Sequence, residues 1–267
     1  MTTSLLYHKT YLQSKSKEWI VLVHGAGGSS SIWFKQIKEF KKHFNLLLID
    51  LRGHGRSASF TAKASNRRGY SFNDVSLDII QILDHLSITK AHFVGISLGT
   101  ILIHKLAEIA PSRVDVMILG GAITRFDVRS LALVKLGNLF KDVIPYMWLY
   151  RLFAYILMPQ KGQVEARSLF IKDAKKLCQK EFKRWFKLAN GVNPLMQHYK
   201  KNELTKPVLY LMGANDYMFI TPVIDMVTHH ENSKLIKIQD CGHVCNVEKP
   251  AEFNKHAIDF IHHHAGD

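Results

Sequence analysis

The stretch Ala91-His92-Phe93-Val94-Gly95-Ile96-Ser97-Leu98-Gly99-Thr100 decides how the rest of the chain is read. Its first six residues are mostly apolar without alternation, as in a strand buried on both faces. From Leu98 to Ile109 the apolar residues take helical spacing instead. One serine stands at the junction, inside a G-x-S-x-G pattern. A strand that turns this abruptly into a helix needs minimal side chains beside the turn, and Gly95 and Gly99 supply them. The Ser97 hydroxyl then projects beyond the strand end. The Leu98 N–H lies at a helix N-terminus, where it can face developing negative charge. The pentapeptide alone is equally compatible with an incidental serine in a strand-to-helix turn.

The same alternation runs outward in both directions. Trp19–Val23 reads as a buried strand entering the glycine-rich loop His24-Gly25-Ala26-Gly27-Gly28. Residues 31–43 suit a helix, and Leu46–Ile49 a strand ending at Asp50. Residues 71–86 place Phe72, Val75, Ile79, Leu83 and Leu86 on one helical face. Strands are predicted at Val114–Leu119, Pro207–Met212 and Leu235–Ile238, with a closing helix from Pro250, a residue suited to a first helical turn. Strand alternating with helix implies an α/β fold, a mostly parallel sheet with helices on both faces. Residues 122–203 break the rhythm with a helical insertion, most simply a cap over a site. The core is then 1–121 together with 204–267.

Composition sets outer bounds. Of 267 residues 47% are hydrophobic and 22% charged, ordinary for a globular chain with a sizeable core. The N-terminal residues lack the pattern of a secretory signal, and no run of about 18 uncharged apolar residues occurs, so a cytoplasmic protein is expected. Cys178, Cys241 and Cys245 are too few and too oddly numbered for a disulfide framework. Cys241 and Cys245 flank His243, but no second Cys/His pair has zinc-site spacing, so no metal is expected. Nor does any cofactor motif occur. The net charge of +14 can attract an anionic membrane surface and equally fits a solvated surface with no acidic partner; no nucleic-acid motif accompanies it, and no nucleic-acid partner is expected.

The loop at His24–Gly28, the segment Asp50-Leu51-Arg52-Gly53-His54-Gly55-Arg56-Ser57, the turn at Ser97, Gly213-Ala214-Asn215-Asp216 and Cys241-Gly242-His243 occur in the order of the α/β-hydrolase family, which the chain resembles from about residue 19 to its end, insertion excepted. The resemblance implies an eight-stranded, mostly parallel sheet with the cap after the sixth strand. It also implies Ser97 as nucleophile, His243 as general base, Asp216 as the acid orienting it, and the N–H groups of Ala26 and Leu98 as oxyanion donors. Asp127, shortly after the sixth strand, is the rival acid. His24 is expected to brace its loop, and the glycines and Arg52 of 50–57 to brace that loop from outside. Many relatives have a second glycine where this chain has Thr100; the change is expected to alter helix packing only.

The expected activity is hydrolysis of a small carboxylic ester through an acyl-enzyme. The greasy first part of the insertion, Leu131–Phe140 and Ile144–Met158, is either the small core of the cap itself or the lining of a tunnel for an apolar or fatty acyl group. Its basic second part, from Lys172 to Lys187, is either a solvated face or a contact for anionic lipid or for an acidic substrate group. Lactonase, thioesterase, C–C bond hydrolase and acyl transferase use the same constellation, because substrate choice lies in cap and pocket. A binding or receptor protein with little turnover is the alternative of another class.

Overall fold

A computed structural model describes residues 5–14, 17–59 and 70–265. Its sheet has seven strands: β1 (His8–Tyr11), β2 (Trp19–Val23), β3 (Asn45–Ile49), β4 (Ala91–Ile96), β5 (Val114–Gly120), β6 (Val208–Gly213) and β7 (Ser233–Ile238). They lie in the order β1-β3-β2-β4-β5-β6-β7. Only β1 is antiparallel to its neighbour; the other pairings are parallel. Among the described residues this is one strand fewer than the eight that the resemblance implies. The mostly parallel α/β architecture is as expected.

The helices are α1 (Phe34–His43), α2 (Phe72–His85), α3 (Leu98–Ile109), α4 (Val128–Phe140), α5 (Tyr146–Leu157), α6 (Val164–Ala174), α7 (Gln179–Leu188), α8 (Val192–Lys201), α9 (Ile220–Val227), α10 (Cys245–Glu248) and α11 (Pro250–His264). Successive strand residues point to opposite faces, so each central strand feeds two cores. Val21, Val23, Phe93, Met117 and Tyr210 pack with α2, α3, α8 and α9 on one face. Ile20, Leu22, Val94, Ile118 and Leu211 pack with α1 and α11 on the other. Both layers are needed because strands this apolar must be covered on both sides. None of the described helices is long and apolar enough to cross a membrane.

Local signals place the ends. Ser71 caps α2 by accepting the Asp74 N–H, and Pro250 opens α11. β1, α9 and α10 were not foreseen. β1 is a short edge strand whose pattern is half exposed, without an apolar run. α9 spans eight residues and α10 four, too short for a clear period.

Helices α4 to α8 lie between β5 and β6, in the predicted insertion. Leu149, Tyr150, Ala174, Leu177 and Phe182 form a small core of their own among α5, α6 and α7. α8 instead sends Val192, Met196 and Tyr199 into the main core.

Candidate active site

The loops that carry the expected site residues all follow C-terminal ends of parallel strands: 24–28 after β2, Ser97 after β4, Asp216 after β6 and His243 after β7. Open parallel sheets place their binding crevice at that edge. Ser97 has φ +55° and ψ −122°, a conformation that costs a non-glycine residue about 1–3 kcal/mol. The surrounding bonds hold it there. The Ser97 N–H donates to the Gly120 carbonyl at 3.0 Å, and its own carbonyl accepts the Thr100 N–H at 2.9 Å and the Thr100 hydroxyl at 2.6 Å. Thr100 thus anchors the serine's backbone directly, which corrects the expectation that it would affect only helix packing. The flanking glycines are required for space: a Cβ on Gly99 would lie 2.4 Å from the Val23 carbonyl oxygen.

The hydroxyl of Ser97 lies 3.0 Å from His243 Nε2, and His243 Nδ1 lies 2.8 Å from Asp216 Oδ2. With Nδ1–H donating to the carboxylate, Nε2 is left to accept from the serine. His243 and Asp216 are 3% and 2% exposed, so the relay is shielded from water on the protein side. The Phe219 ring lies 5.1 Å from the imidazole, and Asp216 Oδ1 accepts the Phe219 N–H. Asp127 is occupied elsewhere: it caps α4, bonded to the N–H and hydroxyl of Ser130.

Ala26 lines the same pocket as Ser97 and His243, and its N–H has no partner among the described residues. Leu98 is the first residue of α3, so its N–H is one the helix cannot bond internally.

His24 and His54 brace the glycine-rich loop, and both are fully buried. His24 Nδ1–H donates to the Gly25 carbonyl, and Nε2 accepts the Leu51 N–H at 3.0 Å. His54 Nδ1–H donates to the Arg52 carbonyl, and Nε2 accepts the Gly27 N–H at 2.9 Å. Each ring must be neutral to accept through Nε2. Burial enforces this, lowering the pKa of His24 and driving that of His54 down to about 3. Arg52 takes part in the bracing through its carbonyl, which holds His54, while its guanidinium turns to the core. It pairs with Asp78 of α2 at 2.6 Å, completely buried, since a guanidinium inside the core needs a carboxylate partner. Asp50 shares the bracing, accepting the N–H groups of Ser30 and Arg56.

Glu248 was missed by sequence reasoning. Its Oε2 accepts the Gly242 N–H at 2.7 Å and its Oε1 the Val244 N–H at 3.1 Å, so one carboxylate grips both peptides flanking His243. The only signal was an acid five residues after the histidine.

Helices α5, α6 and α7 pack over these loops. The Tyr150 ring of α5 sits on Gly27, where a Cβ would come within 2.5 Å of its hydroxyl oxygen. Trp185 of α7 donates its indole N–H to the Arg52 carbonyl at 3.0 Å. Asp173 of α6 accepts the hydroxyls of Ser29 and Ser31, both at 2.8 Å. The closed arrangement leaves a narrow cavity of about 50 Å³ beside Ser97, walled by Ile32, Leu157, Met158, Leu169 and Phe170. Asp173 is the one Asp, Glu, Lys or Arg among the residues that line it.

Among the described residues, Cys241, Cys245 and His243 do not bring their ligand atoms together at one point. Both thiols are buried, and that of Cys245 points at the Leu211 carbonyl. Among the described residues the ligand atoms of Glu18, His92 and Asp115 do come together, at the opposite end of the sheet. There the two ring nitrogens of His92 face different carboxylates, at 3.4 and 3.6 Å, and the Lys90 ammonium already sits 2.5 Å from Asp115.

Comparison with known proteins agrees with this architecture. A family model described as the alpha/beta hydrolase fold matches residues 18–146. The chain is 25% identical to 3-oxoadipate enol-lactonase 2 of Acinetobacter baylyi over 268 aligned residues, covering 91% of this chain and 87% of that protein. It is 23% identical to the (E)-2-((N-methylformamido)methylene)succinate hydrolase of the same organism, covering 92% and 90%. Among solved structures, Est816, described as an N-acyl homoserine lactone degrading enzyme, superimposes with a TM-score of 0.77 at 22% identity, covering 96% of each chain.

Proposed function

Because the chain belongs to the α/β-hydrolase fold family, we propose that it is a serine hydrolase cleaving small carboxylic esters or lactones with neutral, apolar acyl groups. The observation that carries this reading is the Asp216–His243–Ser97 relay, at 2.8 and 3.0 Å, on a serine held in a strained turn. In this reading Ser97 Oγ attacks the acyl carbon as its proton passes to His243 Nε2. Asp216 stabilises the imidazolium so formed. The tetrahedral oxyanion takes hydrogen bonds from the Ala26 and Leu98 N–H groups, each worth about 3–4 kcal/mol in such sites. On collapse, the leaving oxygen receives the proton from Nε2. His243 then takes a proton from a water that attacks the acyl-enzyme, and Nε2 returns that proton to Ser97 Oγ as the acid is released. Residues 122–203 act as the cap, and 1–121 with 204–267 as the core.

The substrate class rests on the cavity. Its walls are aliphatic and aromatic, with no Lys or Arg to receive an anion. Burial pushes the Asp173 carboxyl up, but its bonds from Lys176, Ser31 and Ser29 outweigh this and hold it below its ordinary value. Asp173 is therefore ionised at neutral pH. A substrate carboxylate about 5 Å away would be repelled by about 3 kcal/mol at an effective dielectric of about 20, less the compensation from Lys176. The two Acinetobacter relatives are named for dicarboxylate units, and this cavity disfavours such groups. Its size suits a short acyl chain; a longer one requires α5 and α6 to part.

Hydrolysis of a p-nitrophenyl ester series by the wild type and Ser97→Ala tests the proposal. Turnover of short neutral acyl esters, abolished by the substitution, is expected. Turnover that survives Ser97→Ala overturns the serine mechanism. Wild-type silence across the series removes the ester assignment and favours a binding role.

A further inference from the structure

Eight of the twelve large apolar residues that stand exposed among the described residues fall between Val128 and Tyr155, on α4, α5 and their connection. Val128 is 84% exposed, Val143 81%, Leu139 70% and Trp148 67%. Single exposed apolar residues are ordinary, but such a concentration marks an interaction surface. The two helices are neighbours, since Gly137 of α4 packs against Phe153 of α5. On α5 the cause is visible in the pattern. Leu149, Tyr150, Ala154 and Met158 face the interior, while Trp148, Leu152 and Tyr155 face outward. A helix apolar on both sides, with only one side covered by the protein, calls for a second apolar phase.

The charge around this surface selects the occupant. Arg129, Lys135 and Arg151 are exposed on the same two helices. The nearby carboxylates are engaged: Asp127 caps α4, and Asp142 pairs with Lys183 at 2.6 Å. A second copy, with its own net charge of +14, would be repelled. An anionic bilayer would not: its acyl boundary accepts Trp, Leu and Val, its interface favours Trp and Tyr, and its headgroups attract Lys and Arg. The basic stretch Lys172–Lys187 lacks the apolar half of this arrangement. Phe182 and Trp185 are buried, while Lys176, Lys183 and Arg184 pair with Asp173, Asp142 and Glu181.

We infer that the outer face of α4 and α5 docks the protein onto an anionic lipid surface. The inference is independent of the catalytic reading, yet it has a consequence for it. The residues that close the inner end of α5, Leu157 and Met158, wall the cavity beside Ser97, so a docked α5 lies between bilayer and site.

The test is flotation of the full chain with vesicles of phosphatidylcholine alone and of phosphatidylcholine with about 30% phosphatidylserine, at low and high salt. Binding is expected on the anionic vesicles only, weakened by salt. Trp148 is the most exposed of the four tryptophans, so a blue shift of emission on binding, absent from Trp148→Ser, is also expected. The double variant Leu139→Ser/Trp148→Ser is expected to lose about tenfold or more in affinity. Lys135→Glu/Arg151→Glu is expected to lose at least about fivefold for each charge removed. These positions are exposed, and unchanged circular dichroism of the variants establishes that they fold. No binding by the wild type at low salt, or equal binding by the Leu139/Trp148 variant, overturns the inference. So does a concentration-dependent dimer that the same variant dissolves, since the occupant would then be a second copy.

Discussion

Replacing Glu248 with alanine should disable the site without touching a reacting atom. The carboxylate accepts two backbone N–H groups, at 2.7 and 3.1 Å, from the residues immediately before and after His243. Bonds to a charged acceptor contribute about 1.5–3 kcal/mol each, and an N–H left unsatisfied in a buried loop costs about 1–3 kcal/mol. Gly242 and Val244 are buried, and even with water entering in place of the carboxylate a loss of about 2–4 kcal/mol follows. For a chain of this size that lowers Tm by about 5–10 °C. The second effect is kinetic. His243 must hold Nε2 within 3.0 Å of Ser97 Oγ, and a displacement of about 1 Å costs on the order of a hundredfold in rate. Steady-state hydrolysis of a short p-nitrophenyl ester should therefore show kcat down by about 10- to 100-fold and KM little changed, because Glu248 does not line the cavity. Glu248→Gln, which keeps one acceptor but turns an amide N–H toward the other peptide, should fall between. Wild-type kcat and Tm in Glu248→Ala would refute the argument that this carboxylate positions the histidine.

Acid should weaken the fold before ordinary carboxylates titrate. His54 is held down to about 3 and His24 is also lowered, both chiefly by burial, whereas in the unfolded chain each titrates near 6.5. Their contribution is complete above about pH 6.5 and is lost as pH falls below it, because only the unfolded state then takes up the proton. His104, held down to about 4 by burial, acts in the same direction. Urea denaturation between pH 7 and 5 should give a slope approaching about 1.4 kcal/mol per pH unit for each such histidine, and His54→Gln should remove one proton's share; an unchanged slope in that variant would count against the assignment. Asp173→Asn should raise kcat/KM for a monoester of a dicarboxylic acid by about tenfold relative to a neutral ester of equal length, measured in competition. An unaltered ratio would mean that Asp173 serves only to tie α6 to Ser29 and Ser31.

The sequence made the central layers legible because parallel strands buried on both faces are unbroken apolar runs, and β2, β3, β4, β5 and β6 are of that kind. β1 was not legible, because an edge strand four residues long carries no such run. The residues of the Ser97 relay could be named because the family resemblance places each of them just beyond a readable strand end. Their geometry was not available from spacing, since the separations of 27 and 146 residues are closed only by the sheet. Supporting residues were harder still. His54 acts through one backbone N–H group and Glu248 through two, which leave no periodic trace, and the guanidinium of Arg52 could not be placed because its partner Asp78 is 26 residues away on α2. The apolar stretch of the insertion could not be apportioned in advance between inner wall and outer face. Only the packing separates Tyr150 and Met158 from Trp148 and Tyr155.

The central claim is that Ser97, activated by His243, is the nucleophile. Its most direct test is stoichiometric reaction with an active-site-directed phosphonate ester, followed by intact-mass measurement and peptide mapping. The account predicts one adduct per chain, mapped to Ser97, absent from Ser97→Ala and strongly slowed in His243→Ala. An adduct on another residue, or ester hydrolysis in Ser97→Ala that persists at the wild-type rate, would contradict it.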